Sequence, residues 1–204
     1  MKRIALSILL FFTLDCFCQT IVSGRYSNGL SLAYDSSTNL LTGYYENYTG
    51  MNADNSAPLF SCIFYFVGNV NGVDVTIRSH YPNDVQVIQG NLKIIGENEV
   101  AIYLNEEHGG CFNVRHFNEE PTRFTLEEKV DWKQIRYVVS QKSYIYKGKR
   151  ESDKSKAFLI EKDLFFISMK AGDWSYGIYY GDKESKGWLK NNDLNTIDEK
   201  SLSK

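Results

Sequence analysis

Turn-forming clusters cut this chain into short apolar runs from one end to the other, and that punctuation limits what it can fold into. Runs of this length, bounded by Gly, Asn, Asp and Ser and rich in Val, Ile, Thr, Tyr and Phe, read as strands. Residues 29–34 (GLSLAY) and 40–48 (LLTGYYENY) are two such runs, separated by the turn Asp35-Ser36-Ser37-Thr38-Asn39. After a loop at 50–58 comes 62–70 (CIFYFVGNV), apolar on both faces as a central strand would be. Asn71-Gly72 predicts a two-residue hairpin, because both positions tolerate positive φ. Val73, Val75 and Ile77 then alternate with Asp74, Thr76 and Arg78, the mark of a half-buried strand. Residues 85–95 predict a strand kinked or bulged at Gly90. Glu97-Asn98 is a turn, and Val100, Ile102 and Leu104 alternate again. A loop at His108-Gly109-Gly110 leads into a strand over 111–114, and 124–126 supplies the last strand of this half. Only 119–132 hints at a helical turn. The expected fold class is all-β, with an antiparallel barrel or strongly curved sheet over 19–130.

The second half has the same grammar. Residues 135–139, 143–146, 157–160, 164–169 and 174–180 read as strands, and Gly187-Trp188-Leu189 opens a closing one. Residues 147–156 (KGKRESDKSK) read as a long exposed loop, Glu161-Lys162-Asp163 as a tight turn and 181–186 as another. The boundary between the halves is expected at 129–133, and a polar, frayed tail over 195–204.

The first 18 residues address the chain. Lys2 and Arg3 precede an apolar run from Ile4 to Leu14, and Cys16-Phe17-Cys18 places small residues at the −3 and −1 positions of a cleavage before Gln19. That is the layout of a secretory signal peptide, and the run is too short to span a bilayer. Lipidation at Cys16 or Cys18 is the less favoured alternative, since Asp15 stands where a small residue is wanted before Cys16. The mature chain keeps Cys62 and Cys111, which in an oxidising compartment predict one disulfide. Net charge is −2, and removing Lys2, Arg3 and Asp15 with the signal takes away a net +1 and leaves −3. Such a balance attracts neither nucleic acid nor an anionic membrane, and no later stretch is long and apolar enough for a membrane span.

Residues 135–194 resemble a bacterial SH3-like domain. Tyr144-Ile145-Tyr146 stands where that family has its first motif strand, and a long variable loop follows. Phe158 to Leu164 (FLIEKDL) is similar to the family's hydrophobic–x–Lys–Gly–Asp–hydrophobic turn, with Glu161-Lys162 in place of Lys-Gly. Asp173-Trp174-Ser175-Tyr176-Gly177-Ile178 is similar to its Gly-Trp-x-x-Val strand, with Asp173 where Gly is usual, and Gly187-Trp188-Leu189 resembles its closing signature. The resemblance implies a small barrel serving as a binding or spacer module in wall-directed proteins, and it implies no catalysis. Its aromatic groove would map onto Tyr144, Tyr146, Trp174 and Tyr176. The competing reading is that Trp174 and Trp188 fill a small core, leaving Tyr144 and Tyr146 the more exposed. At the other end, Gly24 to Asn28 followed by Leu41 to Tyr45 resembles the opening hairpin of avidin-like barrels, with no ligand residues to carry over.

Catalytic and metal constellations are thin. Cys111 with His108 or His116 could pair a thiol nucleophile with a base. Secreted peptidoglycan peptidases that carry SH3-like domains use an Asp-Cys-Ser-Gly motif at a helix start, which neither Ser61-Cys62-Ile63-Phe64 nor Gly110-Cys111-Phe112-Asn113 matches. His80, His108 and His116 are too scattered for a metal motif, although Glu106-Glu107-His108 is locally plausible. Glu106 and Glu107, as neighbours on a strand, would point to opposite faces and could not flank one glycosidic bond. Lys147, Lys149, Arg150, Lys154 and Lys156 are interrupted by Glu151 and Asp153, a solvated loop's pattern. The expectation is a non-enzymatic binding protein of the bacterial envelope, periplasmic or extracellular, without cofactor or metal. Its partner would be an envelope protein, a peptide or a cell-wall glycan, for example a toxin or wall hydrolase that it restrains. The alternatives are a cysteine-dependent cell-wall hydrolase, which needs a free thiol at Cys62 or Cys111, and a purely structural spacer.

Overall fold

The computed structural model describes residues 21–197, so the expected signal peptide, Cys16, Cys18 and most of the polar tail lie outside the described residues. The chain is all-β. Eight antiparallel strands form a closed barrel in sequence order: β1 (Gly24–Tyr26), β2 (Leu30–Asp35), β3 (Leu40–Met51), β4 (Pro58–Asn69), β5 (Asp74–His80), β6 (Ile88–Gly96), β7 (Glu99–Leu104) and β8 (Thr122–Lys129). Pairing of β1 with β8 closes it, which leaves no free edge. Alternate residues of each strand point inward: Leu30 and Leu32, Leu41 and Tyr45, Phe64 and Phe66, Val75 and Ile77, Val100 and Ile102. Tyr45, Phe64, Phe117 and Phe124 meet at its centre, with ring centroids 4.9 Å apart for Tyr45–Phe117 and 5.1 Å for Phe64–Phe117. The interior is therefore a packed core. Gly43 is part of that packing, since a Cβ there would lie 2.0 Å from the Phe66 ring.

One local expectation holds and several others are corrected. The hairpin at Glu97-Asn98 forms as a two-residue turn, with Gly96 paired to Glu99. At Asn71-Gly72 the connection widens to residues 70–73, and only Gly72 takes positive φ (+118°). Val73 is already engaged with β6, its carbonyl accepting the Ile94 N–H at 2.7 Å. Residues 81–87 are loop, and the β6 irregularity lies between Ile94 and Gly96 rather than at Gly90. The supposed strand at 111–114 is a 3-10 turn (Cys111–Asn113), and the hinted helical turn is β8, whose Thr122 and Phe124 point inward. In β8 the period-2 alternation of Thr-Arg-Phe-Thr-Leu outweighs the helix-favouring Glu-Glu-Lys that follows.

The second half is a six-stranded antiparallel sheet, β9 (Gln134–Tyr137), β10 (Lys142–Tyr146), β11 (Lys154–Ile160), β12 (Leu164–Ala171), β13 (Trp174–Tyr180) and β14 (Glu184–Lys190), in the order β11-β10-β14-β13-β12-β9. Leu159 from one edge strand shares a core with Phe165, Ile167 and Val138 from the other end of that order, so the sheet coils around its inner face. The expected loop at 147–156 is shorter. Lys154 to Lys156 join β11, and the rest is tied by a Glu151–Asp153 3-10 turn and by the Lys147 N–H donating to the Asp153 carbonyl. Nor does the chain fray at 195. Leu194 bridges Val138, and the buried Asn195 side-chain oxygen accepts from the Tyr137 N–H at 3.0 Å and Arg136 Nε at 3.3 Å.

Residues 130–133 link the two units, and a third core seals them. Trp132, Ile135, Phe166 and Ile178 pack on Ala33 of the barrel wall. The seam is also hydrogen-bonded. The Ile135 N–H donates to Thr42 Oγ1 at 2.7 Å, and the Tyr65 hydroxyl donates to the Ile135 carbonyl at 3.1 Å.

Candidate functional site

Strand alternation divides the second sheet into an inner face and an outer one. Ile145, Leu159, Ser175 and Leu189 turn inward, and their neighbours turn out. Register then lines the outward residues up across strands. Tyr144 faces Phe158, Tyr146 faces Trp188, Trp188 faces Tyr176, and Trp174 faces Lys190. The four residues assigned to the groove from the sequence are thus joined by two that were assigned elsewhere, Phe158 to the turn motif and Trp188 to the closing signature or the core. Ring centroids are 4.9 Å apart for Tyr146–Trp174, 5.3 Å for Tyr176–Trp188 and 6.0 Å for Tyr144–Phe158.

Lysines are layered over these rings. Lys154 Nζ lies 3.5 Å from the Tyr144 centroid, Lys142 Nζ 3.9 Å from Phe158 and Lys149 Nζ 5.3 Å from Trp188. Such contacts keep cations at the surface while shielding aromatic area from water. The competing expectation of core indoles does not hold: Trp174 and Trp188 lie outside the inner cluster, which is built from aliphatic side chains and Phe165. Nor is Tyr146 the more exposed tyrosine. It is buried under Trp174 and Lys190, and its hydroxyl donates to Glu151 Oε2 at 3.1 Å. Burial first, and that hydrogen bond second, push its phenol above the usual tyrosine range. Glu151 also accepts from Lys190, which holds the carboxyl low and the ammonium high. The parity of Trp188 with Lys190, and of Phe158 with Lys154 across a bulge, was the only sequence signal for the two missed rings.

Cys62 and Cys111 form the expected disulfide, with Cα atoms 4.2 Å apart and both residues fully buried. The bridge forms because the β7–β8 connection folds over β4. Gly110, at φ +90°, sits so close that a Cβ there would lie 2.3 Å from the Ser61 carbonyl oxygen. Both sulfurs are occupied, so neither is available as a nucleophile in this state. A buried disulfide of this kind accords with an oxidising, extracytoplasmic compartment.

The three histidines are apart and separately engaged. His80 Nε2 meets the Tyr137 hydroxyl at 3.1 Å, and His116 Nδ1 lies 3.8 Å from both Glu107 and Glu119. His108 stacks on Phe64 and meets Ser79 Oγ at 2.9 Å. Ser79 uses its one proton on the Ile88 carbonyl at 3.0 Å, so His108 donates from Nε2 as a neutral ring. Burial, reinforced by the His80 charge, pulls its pKa down to about 4. Glu106 and Glu107 follow β7 in a loop, not on a strand; Glu106 is exposed and Glu107 half-buried beside His116. Among the described residues no group of three or more His, Cys, Asp or Glu is placed to hold a metal ion.

Comparison with protein-family profiles, with curated proteins and with solved structures finds no match to this chain.

Proposed function

We propose that this is a secreted, non-enzymatic binding protein of the bacterial envelope, working in the periplasm or outside the cell. Its partner is an acidic peptide segment of another envelope protein, such as a toxin or wall hydrolase held in check. The observation that carries this is the outward face of the second sheet, where Tyr144, Tyr176, Trp188 and Phe158 present ring area beneath Lys142, Lys149 and Lys154. Aromatic anchors ringed by cations suit a segment that brings both side-chain carboxylates and apolar groups. The residue pattern of 1–18 and the buried disulfide support secretion, and the resemblance of 135–194 to SH3-like domains supports a binding module. The packed barrel then acts as a rigid carrier.

Immobilised mature protein, challenged with envelope extract and with purified peptidoglycan at low and physiological salt, tests this. A protein retained by the wild type, weakened by salt and lost with Trp188→Ala or Lys154→Glu, is the expected outcome. Retention of peptidoglycan alone would replace the peptide by a glycan. No retained partner at either salt would overturn the binding role and leave the spacer.

A further inference from the structure

The seam between barrel and sheet opens into a second, separate feature, a cleft of about 530 Å³. The barrel contributes Arg25, Ser31, Glu46 and Tyr48, and the sheet contributes Lys162 and Asp163. We infer that this cleft binds an oligosaccharide bearing a carboxylate, with Lys162 as the partner of that carboxylate.

Lys162 is the residue that singles the cleft out. It lies in the tight β11–β12 turn at φ +74°, a left-handed conformation in which a side chain is strained and glycine is not. A bulky residue kept in such a conformation at the wall of a cleft is a mark of use. Its ammonium has no carboxylate partner among the described residues and meets only the Tyr81 ring, at 5.0 Å. The other cation, Arg25, is already placed, 3.6 Å from Glu128 and 4.3 Å from the Tyr180 ring. Lys162 is exposed, so its ammonium is free to meet an anionic group on a ligand seated in the cleft.

The rest of the wall suits a sugar. Tyr48 is 45% exposed, and its hydroxyl is tied to Glu46, which holds the ring as a platform for the C–H face of a pyranose. Glu46 and Asp163 offer carboxylate oxygens to ligand hydroxyls, and Ser31 and Arg25 offer donors. An extended peptide would fit less well. It could not dock here by adding a strand, because the barrel has no free edge and β12 is paired on both sides, to β13 and β9.

Calorimetric titration of the mature protein with tetragalacturonate, with neutral chitotetraose and with a tetraglutamate peptide tests the assignment. Tetragalacturonate should bind, and the other two should bind more weakly. Lys162→Gly, which keeps the turn comfortable, should weaken tetragalacturonate by roughly ten- to a hundredfold, the worth of one charge-assisted hydrogen bond. Tyr48→Ala should weaken it too. Trp188→Ala should leave it unchanged, which separates this site from the aromatic face and its proposed role. No binding of tetragalacturonate, equal binding of chitotetraose or tetraglutamate, or unchanged binding by Lys162→Gly would each overturn the inference.

Discussion

Lys162 and His108 show how single residues here trade stability for something else. The left-handed backbone at Lys162 costs an L-residue on the order of 1–2 kcal/mol, part of which glycine returns as unfolded-chain entropy. Lys162→Gly is therefore expected to raise the unfolding free energy by about 0.5–1 kcal/mol in urea titration. A clear loss would mean that the lysine stem contributes packing that outweighs the strain. His108 contributes in the opposite sense as acid is added. Its folded pKa of about 4 lies below the ordinary histidine value of 6.5, so below pH 6.5 the unfolded chain binds the proton and the native chain refuses it. The stability held above pH 6.5 is then lost as pH falls toward 4, by an amount on the order of 3 kcal/mol. His80, lowered by burial as well, adds to the loss that begins below pH 6.5. Denaturation midpoints from pH 7.5 to 4 should fall for the wild type and fall less for His108→Asn. Equal slopes for the two would remove His108 as the cause. None of this was legible in the sequence. In the sequence His108 stood only as a candidate base or metal ligand beside Glu106-Glu107, because nothing local shows that the loop lays it on Phe64.

At the scale of elements, the β7–β8 connection behaves as a stapled cap. It carries Cys111 to Cys62, Phe117 into the barrel core and His108 onto Ser79, while Thr49 Oγ1 donates to the Asn113 carbonyl at 2.9 Å. A bridge across 49 residues is worth about 4 kcal/mol in the chain-entropy account. Cys62→Ser and Cys111→Ser should each cost roughly 2–5 kcal/mol, and the double variant no more than either alone. Additive losses would show that the two sulfurs contribute separately. The pairing could be read from the sequence because only these two of the four cysteines lie beyond the expected signal peptide. The route could not: Cys-Phe-Asn-Val has strand-like composition, and only the left-handed Gly110 and its close approach to Ser61 bend it into a turn. The aromatic face divides in the same way. Tyr144, Tyr146, Trp174 and Tyr176 follow from order along the chain, whereas Phe158 and Trp188 follow from register: Phe158 across the β10–β11 pair, Trp188 across β13–β14 and, over a long stretch of sequence, opposite Tyr146 of β10. A bulge between Tyr144 and Tyr146 hides that register from any count of residues.

The molecule as a whole is less divisible than two runs of strands suggest. Alternating runs and turns were enough to anticipate an all-β chain and a barrel, because strand pattern is local. How the barrel's wall meets the sheet is not local, and it rests on outward residues that a one-sided pattern leaves for solvent. Ala33, Thr42 and Tyr65 are such residues, fully buried under β9 and its neighbours. Trp132 is the largest side chain of the seam, 4.3 Å from Phe166 by ring centroids and 5.9 Å from the Arg25 guanidinium. Trp132→Ala should cost roughly 3–5 kcal/mol, the usual loss for a buried indole. Thr42→Val should cost roughly 1–3 kcal/mol by orphaning the Ile135 N–H with little change of volume. If the seam couples the halves, the wild type unfolds in one transition, with slow-exchanging amides of β4 and β12 opening at the same free energy. Trp132→Ala should then split that transition, with the six-stranded sheet melting before the barrel, because the closed barrel keeps its own packed centre and its disulfide. Two transitions already present in the wild type would show instead that barrel and sheet are joined by contact without cooperativity.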